Sequence, residues 1–439
     1  MSTRVLVKLG DENKNINNTD IEFFIDSTFE PHLSINKVWE ILDKNSLSPS
    51  QEAIDFFRLS AAIYACDLRI KRSNGYDGWT RQIELHFPVK NIEKWDTCSS
   101  DIEELLSFLT GDLWSIDFYE TEFERPEAVS YEEASERINT NTVSLFSGGL
   151  DSYIGVNDLL SKNEAIYCVS HYDDTSSNHA KPAQDECFSQ LQDLYPSQEF
   201  EHLNFYANVP TNISDEKENT TRSRSIIFIG LGTLVASALD GDNKLYVPEN
   251  GFIALNIPLG HSRIGSFTTR TTHPHVITTI NKILGHLSVD VSVTNPYFYQ
   301  TKGEMIQNME NREDVLDTLS GTMSCAHPAQ RRYEDRKEGG IGHCGYCYPC
   351  LIRRAAMNKN NIDDVSQYTY DVSQQNEIDE LSKGKKKDLN GLYNAIERLD
   401  HTNKSIVLKP GPIDIDIYDI EKFYKMYTNG LNEIDSLLP

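Results

Sequence analysis

The sequence predicts an α/β protein, a parallel sheet with helices on both faces preceded by a separate α+β region. Three observations carry this expectation. From Thr142 onward, short apolar strands alternate with helical patterns, the arrangement that builds βαβ units. The first of those strands runs into Ser147-Gly148-Gly149-Leu150-Asp151-Ser152, where a glycine pair opens a helix. Behind the alternating region stands a group of closely spaced cysteines, Cys325, Cys344, Cys347 and Cys350.

The elements follow in order. Residues 81–89 alternate, with Ile83, Leu85, Phe87 and Val89 on one face and Gln82, Glu84 and His86 on the other, which predicts a half-buried strand. Asp101 is placed to cap a helix carrying Leu105, Leu106, Phe108 and Leu109, with Glu104 completing a capping box. All four tryptophans (Trp39, Trp79, Trp95, Trp114) fall in this first region, as a core or as a partner-recognition surface. Residues 121–140 are acidic and lack long apolar runs, which reads as a linker. Then come strands at 143–146, 165–169, 200–205, 244–247 and 290–293, with helices at 151–160, 182–194 and 225–239. The polar stretch within 204–222 is expected to be a mobile loop or lid near the site. After about residue 359 the sequence turns polar, with 383–387 a solvated lysine patch.

Composition narrows the function. The chain has 439 residues, a formal net charge of -26, 38% hydrophobic and 25% charged residues, and its isoelectric point is near 4.8. The length predicts two or three domains: an N-terminal α+β domain over 1–120, a linker over 121–140, the sheet domain with the cysteine site over 141–360, and a C-terminal extension over 361–439. Strong acidity argues against a large nucleic-acid-binding surface. The first 14 residues lack the apolar core of a secretory signal, so a cytoplasmic location is expected. The longest apolar run, 226–239, is shorter than the roughly 18 residues a membrane helix needs and reads as a buried helix.

Gly148 and Gly149 let the backbone approach an anion, and the helix after them adds its positive N-terminal end. An ordinary strand-to-helix turn is the alternative reading of the glycine pair alone. No Gly-Lys-Ser/Thr ending follows, so this is not the loop that holds ATP for transfer of its terminal phosphate.

Cys344-Gly-Tyr-Cys347-Tyr-Pro-Cys350 contains two overlapping C-x2-C steps, and with Cys325 it supplies four thiolates for a tetrahedral, structural zinc ion. A thiol relay and an iron–sulfur cluster are the rival uses of the same set. Cys66, Cys98, Cys168 and Cys187 have unrelated spacings and read as core thiols.

The hexapeptide resembles the SGGxDS loop of the PP-loop ATP pyrophosphatases. Together with Ser324-Cys325 and CGYCYPCLIRR it resembles the 7-cyano-7-deazaguanine synthase (QueC) family over roughly residues 141–357. Further matches are Tyr167–Asp173, Arg222-Ser-Arg224-Ser225, Asn295-Pro296 and Thr301-Lys302-Gly-Glu304. The family's Tyr-Gly-Gln-Arg-His is replaced by Asp173-Asp174-Thr175. Its Gly-Tyr-Pro-Asp-Cys-Arg substrate segment is replaced by a stretch from Gly265 that holds Thr-Thr-Arg270-Thr-Thr-His273-Pro274. Length, the extra N-terminal region and that stretch are more similar to the QueC-like component of the Qat anti-phage defence systems.

The resemblance implies a PP-loop, adenine-nucleotide α-hydrolase-like fold that binds ATP, Mg2+ and Zn2+. ATP would be held by Ser147, Gly148, Gly149, Leu150, Asp151, Ser152, His171, Arg222 and Arg224, with Asp151 reaching the magnesium ion. Asp151, Lys302 and Arg224 would be catalytic. Glu249, Asn250, Arg263, Arg270 and His273 would bind a 7-deazaguanine carboxylate, and Cys325, Cys344, Cys347 and Cys350 the zinc. The implied reaction is adenylation of the carboxylate with release of pyrophosphate, then amide formation with an amine, expected on a partner protein of the same defence system. The parent activity, nitrile synthesis from ammonia on the free base, is the alternative. A tRNA thiolase and a non-catalytic nucleotide-binding adaptor are the readings from other classes. No membrane partner is expected.

Overall fold

The computed structural model describes residues 2–125, 135–173, 177–214, 217–218, 222–259, 270–328, 342–362 and 364–439. Its strands form two sheets, both parallel throughout. The first half contains β1 (Thr3–Leu9), β2 (Ile21–Ile25), α1 (Asn36–Lys44), α2 (Gln51–Arg69), β3 (Gln82–Val89), α3 (Ile92–Asp96), α4 (Ser99–Thr110) and β4 (Leu113–Glu120). Strand order is β2-β1-β3-β4, with Val5 level with Leu85 and Leu85 level with Ile116. Helical crossovers between parallel strands make this half α/β, which corrects the α+β expectation. Alternation within one strand does not reveal the direction of its neighbours.

Ile83, Leu85, Phe87 and Val89 are buried as their spacing requires. Trp39, Trp95 and Trp114 are core residues, while the guanidinium groups of Arg72 and Arg222 lie over the Trp79 ring, at 5.2 and 5.3 Å. The capping box at Asp101 does not form. Helix α4 starts at Ser99, so Asp101 is already inside its first turn, and its carboxylate accepts from Lys282 Nζ at 2.7 Å.

The second half contains β5 (Thr142–Leu145), α5 (Leu150–Leu160), β6 (Ile166–Tyr172), α6 (Ser177–Leu194), β7 (Phe200–Tyr206), α7 (Arg224–Ala236), β8 (Asn243–Tyr246), α8 (Gly251–Leu255), α9 (Pro274–His286) and β9 (Val291–Thr294). Strand order is β7-β6-β5-β8-β9. Helices cover both faces because the strands are apolar on both sides. Val143, Leu145, Tyr167 and Val169 join the core of α7 and α9, and Phe146, Ile166 and Cys168 join that of α5 and α6. Then follow α10 (Lys302–Asn308), α11 (Arg312–Val315), α12 (Tyr348–Lys359), α13 (Gln375–Glu380), α14 (Lys387–Glu397) and α15 (Ile420–Asp435). The polar tail is therefore folded. Phe423, Met426, Leu431 and Ile434 of α15 are buried in the main core.

One hydrophobic core runs through both halves. Helix α2 is buried along nearly its whole length because α7 covers the side that the first sheet leaves open. A Cβ on Gly230 of α7 would stand 2.7 Å from Ser60 Oγ, so the two helices meet only because that position is glycine. At the same seam Asp67 and Asp112 are bound by Arg81 at 2.6 and 2.5 Å, and Arg72 reaches Asp112 at 2.8 Å. Ser223, from the second half, donates to Asp67 at 2.7 Å.

The middle of the expected linker and residues 215–216 and 219–221 of the expected lid lie outside the described residues. Of the lid, Glu218 is docked: its carboxylate accepts from Arg72 N and its own N–H donates to Leu68 O, both at 2.9 Å. Lys385, from the lysine patch, lies over the rings of Tyr370 and Tyr346 at 5.0 and 5.4 Å. No helix among the described residues is long and apolar enough to cross a membrane.

Candidate functional site

In the second sheet the chain moves outward from β5 through β6 to β7, then returns to place β8 on the other side of β5. The direction of winding reverses between β5 and β8, and the crevice beyond the carboxyl ends of two such strands is the usual ligand position in these sheets. Three segments line it: the Ser147–Ser152 loop after β5, Glu249-Asn250 after β8, and Lys302 at the start of α10.

Gly148 adopts φ +75°, and a Cβ there would lie 2.9 Å from Gln184 N, so glycine is required on both counts. Gly149 is the N-cap of α5 and offers no side chain to satisfy the helix start. The loop closes on itself through Ser152 Oγ, which lies 3.1 Å from Ser147 Oγ and donates to Gly149 O at 3.0 Å. Ser147 is exposed. Leu150 is buried in the second core, so only its backbone faces the loop.

Asp151, 6% exposed, turns back from the first turn of α5. Its Oδ2 accepts from Asn250 Nδ2 at 2.7 Å and from Asn250 N at 3.3 Å. Its Oδ1 accepts no hydrogen bond among the described residues and stands 3.3 Å from Lys302 Nζ. Lys302 is buried rather than solvated. Thr301 and Glu304, spaced as a capping box requires, form one, which fixes the backbone from which Lys302 projects. Asn250 is itself the N-cap of α8, accepting from Ile253 N at 3.1 Å. Glu249 keeps an exposed edge, and its Oε2 accepts from Thr272 Oγ1 at 3.2 Å. Its carboxyl is pushed up to about 7, first by burial and then by the Asp151 carboxylate, against the pull of Lys302. Two carboxylates thus share one lysine.

His171 and Arg224 stand at the carboxyl end of β6 and the start of α7. The His171 ring is buried, donates from Nε2 to Ala207 O at 3.0 Å, and meets Tyr64 of α2 edge-on. Burial and the neighbouring Arg224 lower its pKa to about 4. Tyr64 donates to Asp173 at 3.0 Å. The first half therefore supplies a wall beside this part of the sheet.

Three expected residues lie instead at the seam. Arg222 donates to Thr110 O at 2.8 Å and covers Trp79. Arg270 donates to Phe108 O at 3.0 Å and covers that ring at 4.5 Å. His273 is fully buried beside Phe108 and caps α9, accepting from His275 N at 3.2 Å. Of this segment, Thr272 alone reaches the carboxylates among the described residues. Arg263 lies outside the described residues. Thr272, Asn295, Ser324 and Tyr64 take part without having been assigned roles. Asn295 receives Glu249 N at 3.3 Å and returns a bond to Glu249 O at 2.8 Å. Asn295 and Ser324 belong to segments that carry the family resemblance, whereas Tyr64 looks in sequence like any core aromatic.

The sulfurs of Cys325, Cys344, Cys347 and Cys350 lie within 4.8 Å of one another, and the pairs 325–347 and 344–350 are 3.9 Å apart. A tetrahedral zinc–thiolate site with bonds near 2.3 Å has sulfur separations of about 3.8 Å, so this set can hold a metal ion such as zinc. Backbone N–H groups of His327 and Cys344 point at Cys325 Sγ, both at 3.3 Å, and that of Cys347 at Cys344 Sγ, at 3.4 Å, as stabilised thiolates require. Cys66, Cys98, Cys168 and Cys187 are buried and apart from this group. Burial pushes the Cys66, Cys98 and Cys187 thiols up to about 12, and the Cys168 thiol higher still, leaving all four inert.

The two residues that precede Cys325 touch the glycine loop. Met323 N donates to Gly148 O at 2.8 Å, and Leu150 N donates to Ser324 Oγ at 3.4 Å. No protein-family model matches the chain, and no curated protein matches it.

Proposed function

We propose that the chain is a PP-loop ATP pyrophosphatase that joins a carboxylate to an amine, with release of AMP and pyrophosphate. A carboxylate oxygen attacks the α-phosphorus of ATP, the α–β bridging bond breaks, and pyrophosphate leaves. The acyl adenylate then reacts with an amine; the C–N bond forms, AMP leaves with the bonding electrons, and the amine loses a proton. One observation carries this reading: behind Gly148-Gly149 a buried carboxylate, Asp151, faces a buried lysine, Lys302, across the β5/β8 crevice.

The roles follow from position. Backbone N–H groups at the head of α5, with Ser147 and Ser152, would hold the phosphates. Lys302 would meet negative charge that develops at the α-phosphorus. Asp151, with Oδ1 accepting no hydrogen bond, is the residue to hold Mg2+, which supplies neutralisation of the phosphates. Arg224 supports the nucleotide side, next to His171. The cysteine group would hold zinc in a closed, structural shell that fixes the segment behind the loop.

The resemblance to 7-cyano-7-deazaguanine synthases supports a 7-deazaguanine carboxylate as substrate. A large first half that shares the core of the site is easier to account for with a protein amine than with ammonia. The proposed setting is anti-phage defence, as in the QueC-like component of Qat systems. The test is incubation with Mg-ATP and 7-carboxy-7-deazaguanine, with ammonia or with a candidate partner protein, while pyrophosphate release and masses are followed. A mass gain on the partner supports the ligase; conversion of the free base selects nitrile synthesis instead. Absence of pyrophosphate in every mixture would sink the enzymatic reading.

A further inference from the structure

We infer that Ser324 is an additional anion-binding residue of the glycine loop, and that the four-cysteine group holds it in place. The inference rests on the phosphate reading of that loop and adds to it a residue from a segment far away in sequence. Ser324 Oγ accepts from Leu150 N at 3.4 Å, a backbone donor at the head of α5. Among the described residues its own hydroxyl proton has no acceptor. A hydroxyl that accepts from the helix start and keeps its proton uncommitted is a donor aimed at whatever anion the helix start receives. Behind the same helix start, Asp151 Oδ1 is more than nine-tenths buried, accepts no hydrogen bond among the described residues and has Lys302 Nζ at 3.3 Å, a carboxylate–lysine pair to which a metal-bound anion can add.

The position of Ser324 is fixed from both sides. Its backbone N–H donates to His343 Nε2 at 3.3 Å, and the residue before it is tied to the loop through Met323 N to Gly148 O at 2.8 Å. Further back, Arg353 of α12 donates to Thr322 Oγ1 at 2.5 Å and to Leu319 O at 3.0 Å. The residue after it is Cys325, whose sulfur lies 3.9 Å from that of Cys347, the N-cap of α12. A metal ion that draws the four sulfurs together therefore holds the hydroxyl at the loop, and its loss releases one end of that short segment.

The probe is inorganic pyrophosphate with Mg2+, titrated calorimetrically into the full chain, with metal content measured on the same samples. Ser324→Ala should weaken binding roughly tenfold or more, the size of a hydrogen bond to a charged group, with metal content unchanged. Ser324→Thr, which keeps the hydroxyl, should restore most of the affinity. Wild-type protein stripped of its metal by a chelator should bind at least as weakly as Ser324→Ala. Unchanged affinity in Ser324→Ala, or a loss that Ser324→Thr does not recover, would overturn the assignment of the hydroxyl to the ligand. Full affinity in folded, metal-free protein would overturn the link to the cysteines. If wild-type protein binds neither pyrophosphate nor Mg-ATP, the phosphate reading itself fails and takes this inference with it.

Discussion

Two groups of charges in this molecule, one at the seam and one in the crevice, are built to opposite rules. At the seam, Asp67 and Asp112 are matched by Arg72 and Arg81, and the spare oxygen of Asp67 is taken by Ser223. In the crevice, Asp151 and Glu249 share Lys302, Asp151 Oδ1 accepts no hydrogen bond, and the Glu249 carboxyl is pushed up to about 7. Buried ions are tolerated where partners of opposite sign and full hydrogen bonding offset the loss of hydration. At the seam every oxygen of Asp67 and Asp112 has a donor from the protein itself, although Arg72 Nε and Arg81 Nε have no acceptor among the described residues. In the crevice, by contrast, Asp151 Oδ1 has no hydrogen-bond donor among them. Saturation of the carboxylates is what separates the two groups, since both are rich in acidic residues.

Removal of one member should separate the two. Asp151→Asn is expected to lower pyrophosphate release at least ~100-fold with little change in the urea midpoint; a stable variant that retains its rate would place Asp151 with the structural group. Arg81→Met should do the reverse, costing about 3–5 kcal/mol of stability, because it takes from buried Asp67 its close cation and leaves Asp112 with Arg72 alone. Equilibrium urea denaturation checks this, and a loss below ~1 kcal/mol would show that the seam is not the matched group described. Cys347→Ser should lower metal content and stability; normal folding with unchanged metal would remove the metal site.

A smaller effect is expected from the neutral histidines. His171, His202 and His273 have pKa values lowered to about 4, 4 and 3, in each case first by burial. The native state therefore holds fewer protons than the unfolded chain once pH drops below about 6.5, the ordinary imidazole value. Their contribution is complete above that pH and lost as pH falls toward 4. Urea midpoints should decline between pH 6.5 and 5; a flat profile would contradict the buried, neutral assignment.

Much of the second half was legible because its strands and helices differ in period and the glycine pair marks the turn between them. The cysteine group was legible from spacing, since C-x2-C places two sulfurs within reach of one ion. The capping box at Thr301 could be read because its bonds are local; the one at Asp101 failed because α4 starts upstream of it. Arg222, Arg270 and His273 were placed at the nucleotide or substrate by their neighbours in sequence, yet each is held by α4 or the residues around it. Nothing in their local pattern reveals a partner more than 100 residues away. The parallel pairing of the first sheet was hidden for the same reason, because strand direction depends on crossovers and not on alternation.

The link from α15 back to α10 sets an order in time. Glu433 accepts from Thr301 Oγ1 across 132 residues and from Gly303 N at 3.3 Å, and it pairs with Lys359 at 2.7 Å. These bonds brace the helix start from which Lys302 projects. At synthesis rates of about 5–20 residues per second, α15 emerges roughly 7 to 26 seconds after Lys302 does. During that interval the glycine loop and Asp151 have already been made while the lysine opposite lacks its final support. Until α15 has been made the chain therefore carries an unfinished crevice, complete only when that helix docks.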